Sequence, residues 1–427
     1  MKEILKTIIV DFIKRELPEI KKREINIPLN TGKIISLVGA RRTGKTYLLF
    51  NIIKGLRDKI HRNRIIYVNF EDDRLYPASI KTMDLLLQSY YELFPDNKNE
   101  KVYFFFDEIQ VIEKWELFVR RLYDNENCEI FLTGSSSKLL SKEISTSLRG
   151  RTLSFEIFPL SFNEFLFFKD CEIDSLSSKG IAKIINHFNE YLNNTSFPEI
   201  INFPDDLRWR SLSEYLDLII YRDIIERYGV ANIHLMKYLI KFLFSNTGNL
   251  LSINKIYNEL SSYGLKVSKN SVYEYISYLE DSYTIFNVRL FSRNLKKQQR
   301  NPTKFYLLDN GLRKIVSISE DKGKLLESIV FNYLRRNSDS IYYFQGKQEV
   351  DFVMDDNIRG ERQLINVCYD LTLPSTKRRE IESLIEGMNN LKLNHSFLLT
   401  NDEEFEEKIN NKIIRVIPVW KFLLNLY

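Results

Sequence analysis

Cysteine is scarce in this chain: Cys128, Cys171 and Cys368 are the only ones in 427 residues, odd in number and far apart. They support neither a disulfide framework nor a zinc ribbon, and they fit a reducing, cytoplasmic compartment. Histidine is as sparse, and His61, His187, His234 and His395 show no metal-ligand spacing. No apolar run is long enough to cross a bilayer, so no membrane role is expected. The opening MKEILKTIIVDFIKRELPEIKK interrupts its apolar stretch with Asp11, Lys14 and Arg15, and reads as an amphipathic helix rather than a secretion signal. Charge of one sign is missing too. Against 57 acidic residues stand 62 basic ones, a formal +5, too weak a tilt over this length to name a nucleic-acid or anionic-lipid partner.

What is present suits an ordinary folded protein with a sizeable core: 44% hydrophobic and 28% charged residues. The length predicts two or three domains. Between residues 33 and 170 the strand-like runs KIISLVG, RIIYVNF, VYFFFDE and CEIFLTG alternate with helix-like stretches, which predicts an α/β fold with a parallel sheet. The pattern then turns helical, broken by Pro198 and Pro204, and SLSEYLDLIIYRDIIERY reads as part of a helical lid. LLSINKIYNEL, SSYGLKV and SKNSVYEYISYLEDSYTIFNVRLF read as two helices, a turn and a strand pair, a winged-helix-like module. A last helix, the extended runs IYYFQGKQEVDFVMDD and QLINVCYDL, and a charged helix complete a small terminal α/β domain. The expected divisions are 1–170, 171–235, 236–320 and 321–427.

GARRTGKT, residues 39–46, follows the apolar strand KIISLV and precedes the helix-like YLLFNIIKGL, the strand–loop–helix context of a Walker A loop. Gly39 and Gly44 let the backbone bend so that the N–H groups of Ala40, Arg41, Arg42 and Thr43 face phosphate oxygens at a helix N-terminus, with Tyr47 just beyond. Lys45 would neutralise the terminal phosphates, and Thr46 offers a hydroxyl to Mg2+. ATP and Mg2+ are the ligands implied. VYFFFDEIQ is a buried-strand run ending in two carboxylates: Asp107 to hold magnesium, Glu108 to orient and deprotonate water. Thr133 and Ser135, at the end of the next strand, stand where a polar group senses the γ-phosphate, or where turns commonly place Ser and Thr. In SLRGR, Arg149 and Arg151 are either arginine fingers for a neighbouring subunit's nucleotide or surface ion-pair residues.

Together GARRTGKT, YVNFEDDRL, FFFDEIQ, LTGSSSKLL, LRGR, FPLSFNEFL and YRDIIERY resemble a family of prokaryotic AAA-type ATPases, widespread in archaea, along most of the chain. The resemblance implies a P-loop NTPase core of the AAA type, a helical lid, a winged-helix extension and a terminal domain similar to restriction-endonuclease-fold nucleases. Such nucleases place a helix Glu, a strand Asp and a Glu-x-Lys pair around a metal. Glu327 and Asp351 match the first two elements, but QLINVCYDL carries Asn366 and Cys368 where the acid and lysine belong. A nuclease-like fold without nuclease activity is expected, unless Glu361 or Lys377 fills the gap.

The segment 289–304, RLFSRNLKKQQRNPTK, concentrates six basic residues in a wing or loop and is the cue for duplex DNA. The helix beside it carries Glu274, Glu280 and Asp281, which suits groove insertion poorly. The expectation is a nucleotide-driven switch or motor, acting on DNA or on a protein partner, another copy of the chain included. The alternative is a DNA- or protein-binding regulator gated by ATP occupancy.

Overall fold

A computed structural model describes residues 1–137, 146–317, 321–356 and 361–427. The end of LTGSSSKLL lies outside them. The chain divides into two compact units, one of Met1–Phe158 with Asp281–Tyr283, the other of Pro159–Glu280 and Thr284–Tyr427.

The first unit is built on five parallel strands, β1 (Ile34–Val38), β2 (Ile65–Asn69), β3 (Val102–Asp107), β4 (Cys128–Gly134) and β5 (Thr152–Glu156), in the order β2-β3-β4-β1-β5. Every residue of β1 and β3 is buried, as a sheet covered on both faces requires. This explains why IISLV and VYFFF are unbroken apolar runs rather than alternating ones. Helices α1 (Lys2–Lys14), α2 (Lys45–Arg57), α3 (Ile80–Leu93) and α4 (Trp115–Asn125) accompany the sheet. The opening is the amphipathic helix its sequence predicts, with Leu5, Ile8, Ile9 and Phe12 buried at helical spacing. Phe12 stacks on Tyr67 of β2, ring centroids 4.7 Å apart. The strand order matters for chemistry. Placing β4 between β1 and β3 inserts Thr133 between the loop after β1 and the carboxylates after β3.

The second unit begins with helices α5 (Phe162–Phe168), α6 (Ser178–Asn193), α7 (Asp205–Leu218), continued by wider π-helical turns over Ile219–Glu226, and α8 (Ile233–Ser245). The SFNE sequence closes a capping box at α5: Glu164 N–H donates to Ser161 Oγ at 3.0 Å, and Ser161 N–H to the Glu164 carboxylate at 2.9 Å. Strand β6 (Leu250–Leu251), helices α9 (Ile253–Ser262) and α10 (Lys269–Asp281), strand β7 (Ile285–Leu290), short helix α11 (Leu295–Arg300) and strand β8 (Thr303–Leu307) follow. Then come α12 (Asn310–Val316), α13 (Lys322–Asn337), β9 (Ile341–Gln345), β10 (Glu349–Asp356), β11 (Glu361–Val367), α14 (Pro374–Leu391), β12 (His395–Thr400), β13 (Phe405–Ile409), β14 (Lys412–Pro418) and α15 (Val419–Leu423).

Two expected divisions are drawn differently in the structure. The break expected at residue 170 falls at 158, because Phe162 and Phe165 pack on Phe188 and Tyr191 of α6, and Tyr191 Oη donates to the Leu160 carbonyl at 3.0 Å. Nor do the strand pair near 285–307 and the terminal strands form separate sheets. β7 runs parallel to β9, Arg289 opposite Tyr342 and Leu290 opposite Tyr343, so nine strands join in the order β13-β14-β12-β11-β10-β9-β7-β8-β6.

Candidate functional site

Residues 39–46 wrap from the end of β1 to the start of α2. Gly39 has no room for a side chain: a Cβ there would lie 2.1 Å from the carbonyl oxygen of Ile157. Gly44 caps α2 at φ 95°, in the left-handed region, and Arg42 adopts φ 65° in the same loop. The loop is braced by groups outside the motif and by its own side chains. Buried Arg23 donates to the Thr43 carbonyl and to the Phe158 carbonyl, both at 2.9 Å. Thr43 Oγ1 donates to the Ala40 carbonyl at 2.9 Å. Arg41 forms a bidentate pair with Glu71 beyond β2, at 2.8 and 3.2 Å. Tyr47 is exposed on α2.

The chemistry-bearing side chains converge on this loop. Lys45, almost fully buried, donates to the carbonyls of Gly39 at 3.0 Å and Ala40 at 2.9 Å, with its Nζ 3.9 Å from Glu108. Thr46 Oγ1 donates to Asp107 Oδ2 at 2.8 Å, which puts the hydroxyl and the carboxylate side by side as paired oxygen donors for a small hard cation. Asp107 is wholly buried and also accepts from Tyr67 Oη at 2.7 Å and from Thr133 Oγ1. Burial, with the neighbouring Glu108 charge, pushes the Asp107 carboxyl above its ordinary range despite these three hydroxyl donors. Burial and the Asp107 charge push the Tyr67 phenol up, so it stays a donor.

Glu108 leaves the strand in the left-handed region, φ 53° and ψ 47°. For a residue with a Cβ this costs about 1–2 kcal/mol. The turn carries its carboxylate away from the direction strand alternation would give. Glu108 N–H donates to Thr133 Oγ1 at 2.9 Å, and Gln110 Nε2 donates to the carboxylate at 2.5 Å and to Ser135 Oγ at 3.2 Å. Thr133 therefore braces both acids, and Ser135 stands one side chain removed.

Arg149 and Arg151 lie elsewhere. Arg151 precedes β5, and its carbonyl accepts from Ile34 N–H at the start of β1. That places it at the opposite edge of the sheet from the phosphate loop, roughly 16 Å away along five residues at about 3.3 Å each. Its guanidinium pairs with Asp124 at 2.6 Å and lies over Tyr123. Of the two expected roles, the ion pair is the one this geometry gives Arg151.

Motif reading missed Arg23, Tyr67, Glu71 and Gln110. Tyr67 and Glu71 lie within YVNFEDDRL and Gln110 within FFFDEIQ, but none of the three is assigned a role there. Tyr67 reads as one more core aromatic of an apolar strand, and Arg23 and Glu71 are brought to the loop by tertiary folding alone. The DNA cue needs one correction: of its six basic residues, Arg289, Arg293, Lys296, Lys297 and Arg300 are exposed, but Lys304 is fully buried. Glu327 and Asp351 do come together, on Lys304. Asn366 is committed to structure, accepting from Asp351 N–H at 2.9 Å and donating to Glu380. Lys377, offered as a replacement, points instead to Glu407 and the Phe405 ring.

Residues 31–166 match a family described as an AAA domain, AAA_14, and residues 185–322 a domain of unknown function, DUF8612. The uncharacterized protein MJ1544 of Methanocaldococcus jannaschii is 40% identical over 416 residues, covering 94% of this chain and 90% of that protein. An uncharacterized protein of Haemophilus influenzae is 31% identical over 397 residues, 92% and 94% of the two chains. Among solved structures, the Walker-type ATPase PABY2304 of Pyrococcus abyssi aligns with a TM-score of 0.45 and 16% identity, over 67% of this chain and 91% of that one. Over 94% of its length the chain belongs to one family with MJ1544, and within it residues 31–166, with the phosphate loop and the five-stranded parallel sheet, form an AAA domain.

Proposed function

We propose that this protein hydrolyses ATP in a magnesium-dependent reaction and uses the cycle as a conformational switch. The observation that carries the reading is the contact of Thr46 with Asp107, flanked by Glu108 and Lys45, at the end of the loop. Thr46 and Asp107 would hold Mg2+, which when bound neutralises phosphate charge. Lys45, resting on the loop's own carbonyls, would exchange them for phosphate oxygens. Its move away from Glu108 leaves that carboxylate to take a proton from water as the water oxygen bonds to the γ-phosphorus and the bond to the bridging oxygen breaks, releasing ADP and phosphate. Thr133 and Gln110 position Glu108. Lys45→Ala is expected to lower steady-state ATP turnover by at least about 100-fold, and EDTA to abolish wild-type turnover. Turnover that survives both changes would overturn the assignment. Tight ATP binding without turnover would favour the nucleotide-gated binder instead.

A contact with duplex DNA is favoured by the exposed α11 tip. On this reading helices α9 and α10, the β7–β8 hairpin and β6 are taken as a winged helix, with α11, between β7 and β8, as its wing tip. Replacing Arg293, Lys296, Lys297 and Arg300 with Gln is expected to weaken non-specific duplex binding at least about 10-fold at low salt. It should also flatten the log K against log[salt] slope by up to about 3.6, at about 0.9 per phosphate contact. An unchanged slope in a fluorescence titration would assign the tip to a protein partner. The strands after α13 read as a nuclease-like domain without nuclease activity, because Asn366 and Cys368 replace the acid and the lysine and Lys304 lies between the carboxylates.

A further inference from the structure

Lys304, on β8, belongs to a basic stretch of sequence but is fully buried, and its ammonium is enclosed by carboxylates from two other elements. Its Nζ lies 2.9 Å from Glu327 of α13, 2.5 Å from Glu349 and 2.7 Å from Asp351, both of β10. Two of the acids are also fixed by other partners. Glu327 also accepts from Tyr306 Oη at 2.5 Å and from Lys324 Nζ at 2.8 Å, and Asp351 accepts from Val367 N–H at 2.9 Å. The backbone closes the space as well, since a Cβ on Gly248 would lie within 3.3 Å of both Glu327 oxygens.

Three carboxylate oxygens converge at 2.5–2.9 Å on one ammonium nitrogen, the spacing of charge-assisted hydrogen bonds and slightly wider than calcium–oxygen contacts of about 2.3–2.6 Å. Lys304 and Lys324 face three carboxylates, one positive charge short of balance. Among the described residues no group of three or more His, Cys, Asp or Glu side chains is arranged to hold a metal ion. In this cluster the Lys304 ammonium occupies the point on which the three carboxylates converge. A metal does not fit these residues while Lys304 is present.

We propose that Lys304 is a built-in substitute for a divalent cation. Glu327, Glu349 and Asp351 form a cation cradle whose occupant is supplied by β8 of the same chain, and replacing that lysine with a small neutral residue turns the cradle into a divalent-metal site. The ammonium ties β8 to α13 and β10 without dependence on metal supply. A divalent ion in its place would bring the charge count to balance, which an ammonium cannot do.

The test uses the full chain without nucleotide. Lys304→Ala is expected to melt well below wild type in EDTA and to recover by about 5 °C or more in about 1 mM free Ca2+ or Mn2+. Titration calorimetry should show one ion per chain more than wild type. A quadruple variant, Lys304→Ala with Glu327→Gln, Glu349→Gln and Asp351→Asn, keeps the ATP site intact and should lose the extra ion and the metal-dependent recovery. The proposal is overturned if Lys304→Ala gains no ion over wild type, if wild type takes up the same ion, or if Lys304→Ala stays unfolded in Ca2+ and Mn2+ alike. None of these readouts depends on ATP hydrolysis, so a failure here leaves that reading where it stands.

Discussion

Glu108→Gln is expected to bind ATP about as tightly as wild type and to turn it over roughly 10²–10⁴-fold more slowly, the span a positioned general base contributes. The amide keeps the size of the side chain and its oxygen can still accept from Gln110, which also donates to Ser135, so the loop and the Thr46–Asp107 pair are undisturbed. What it loses is the capacity to take a proton from water. A second variant separates chemistry from backbone strain. Because Glu108 holds φ 53°, Glu108→Gly should relieve about 1–2 kcal/mol and raise the melting temperature while remaining inactive. Single-turnover kinetics with thermal melts reads both. A Glu108→Gln enzyme within about threefold of wild-type turnover would place the base elsewhere.

Gly39→Ala is the second large effect, and it arises from the sheet rather than from the ligand. The added methyl would meet the Ile157 carbonyl at 2.1 Å, and that peptide cannot retreat because Ile157 N–H is bonded to the Val38 carbonyl at 2.7 Å. The loop must shift, and with it the carbonyl on which Lys45 rests. ATP affinity is expected to fall at least about 10-fold, since sub-ångström misplacement of phosphate-binding groups is costly. Gly55→Ala is the control. It lies exposed in α2 with nothing within 4 Å of its Cβ, and should leave affinity unchanged while stabilising the helix by about 0.5–1 kcal/mol. If Gly39→Ala binds ATP normally, the close approach to Ile157 does not constrain the loop.

How much of the molecule is legible in its sequence divides along the range of the interactions. The phosphate loop, the paired acids and the parallel strands rest on contiguous residues, and local sequence carries them. The shape of the second unit does not, because the hydrogen bonding of β7 to β9 joins segments separated by three helices and a strand, and no local pattern announces it. Lys304 shows the same limit in one residue. Read with its neighbours it is part of a basic run, yet its partners lie 23 and 47 residues onward, and only they decide whether its charge meets solvent or carboxylate. Tyr67 looks like packing and is packing on Phe12, but its hydroxyl also binds the Asp107 carboxylate. An aromatic strand residue gives no outward sign of such double duty.

The unbroken nine-strand sheet has a consequence for inheritance and change. A winged helix joined by a linker could be traded, lost or retuned without disturbing the strands beyond it. Here β7 is the edge on which β9 is laid, so a substitution that shifts the wing's register is transmitted to the terminal strands, and the two must vary together or not at all.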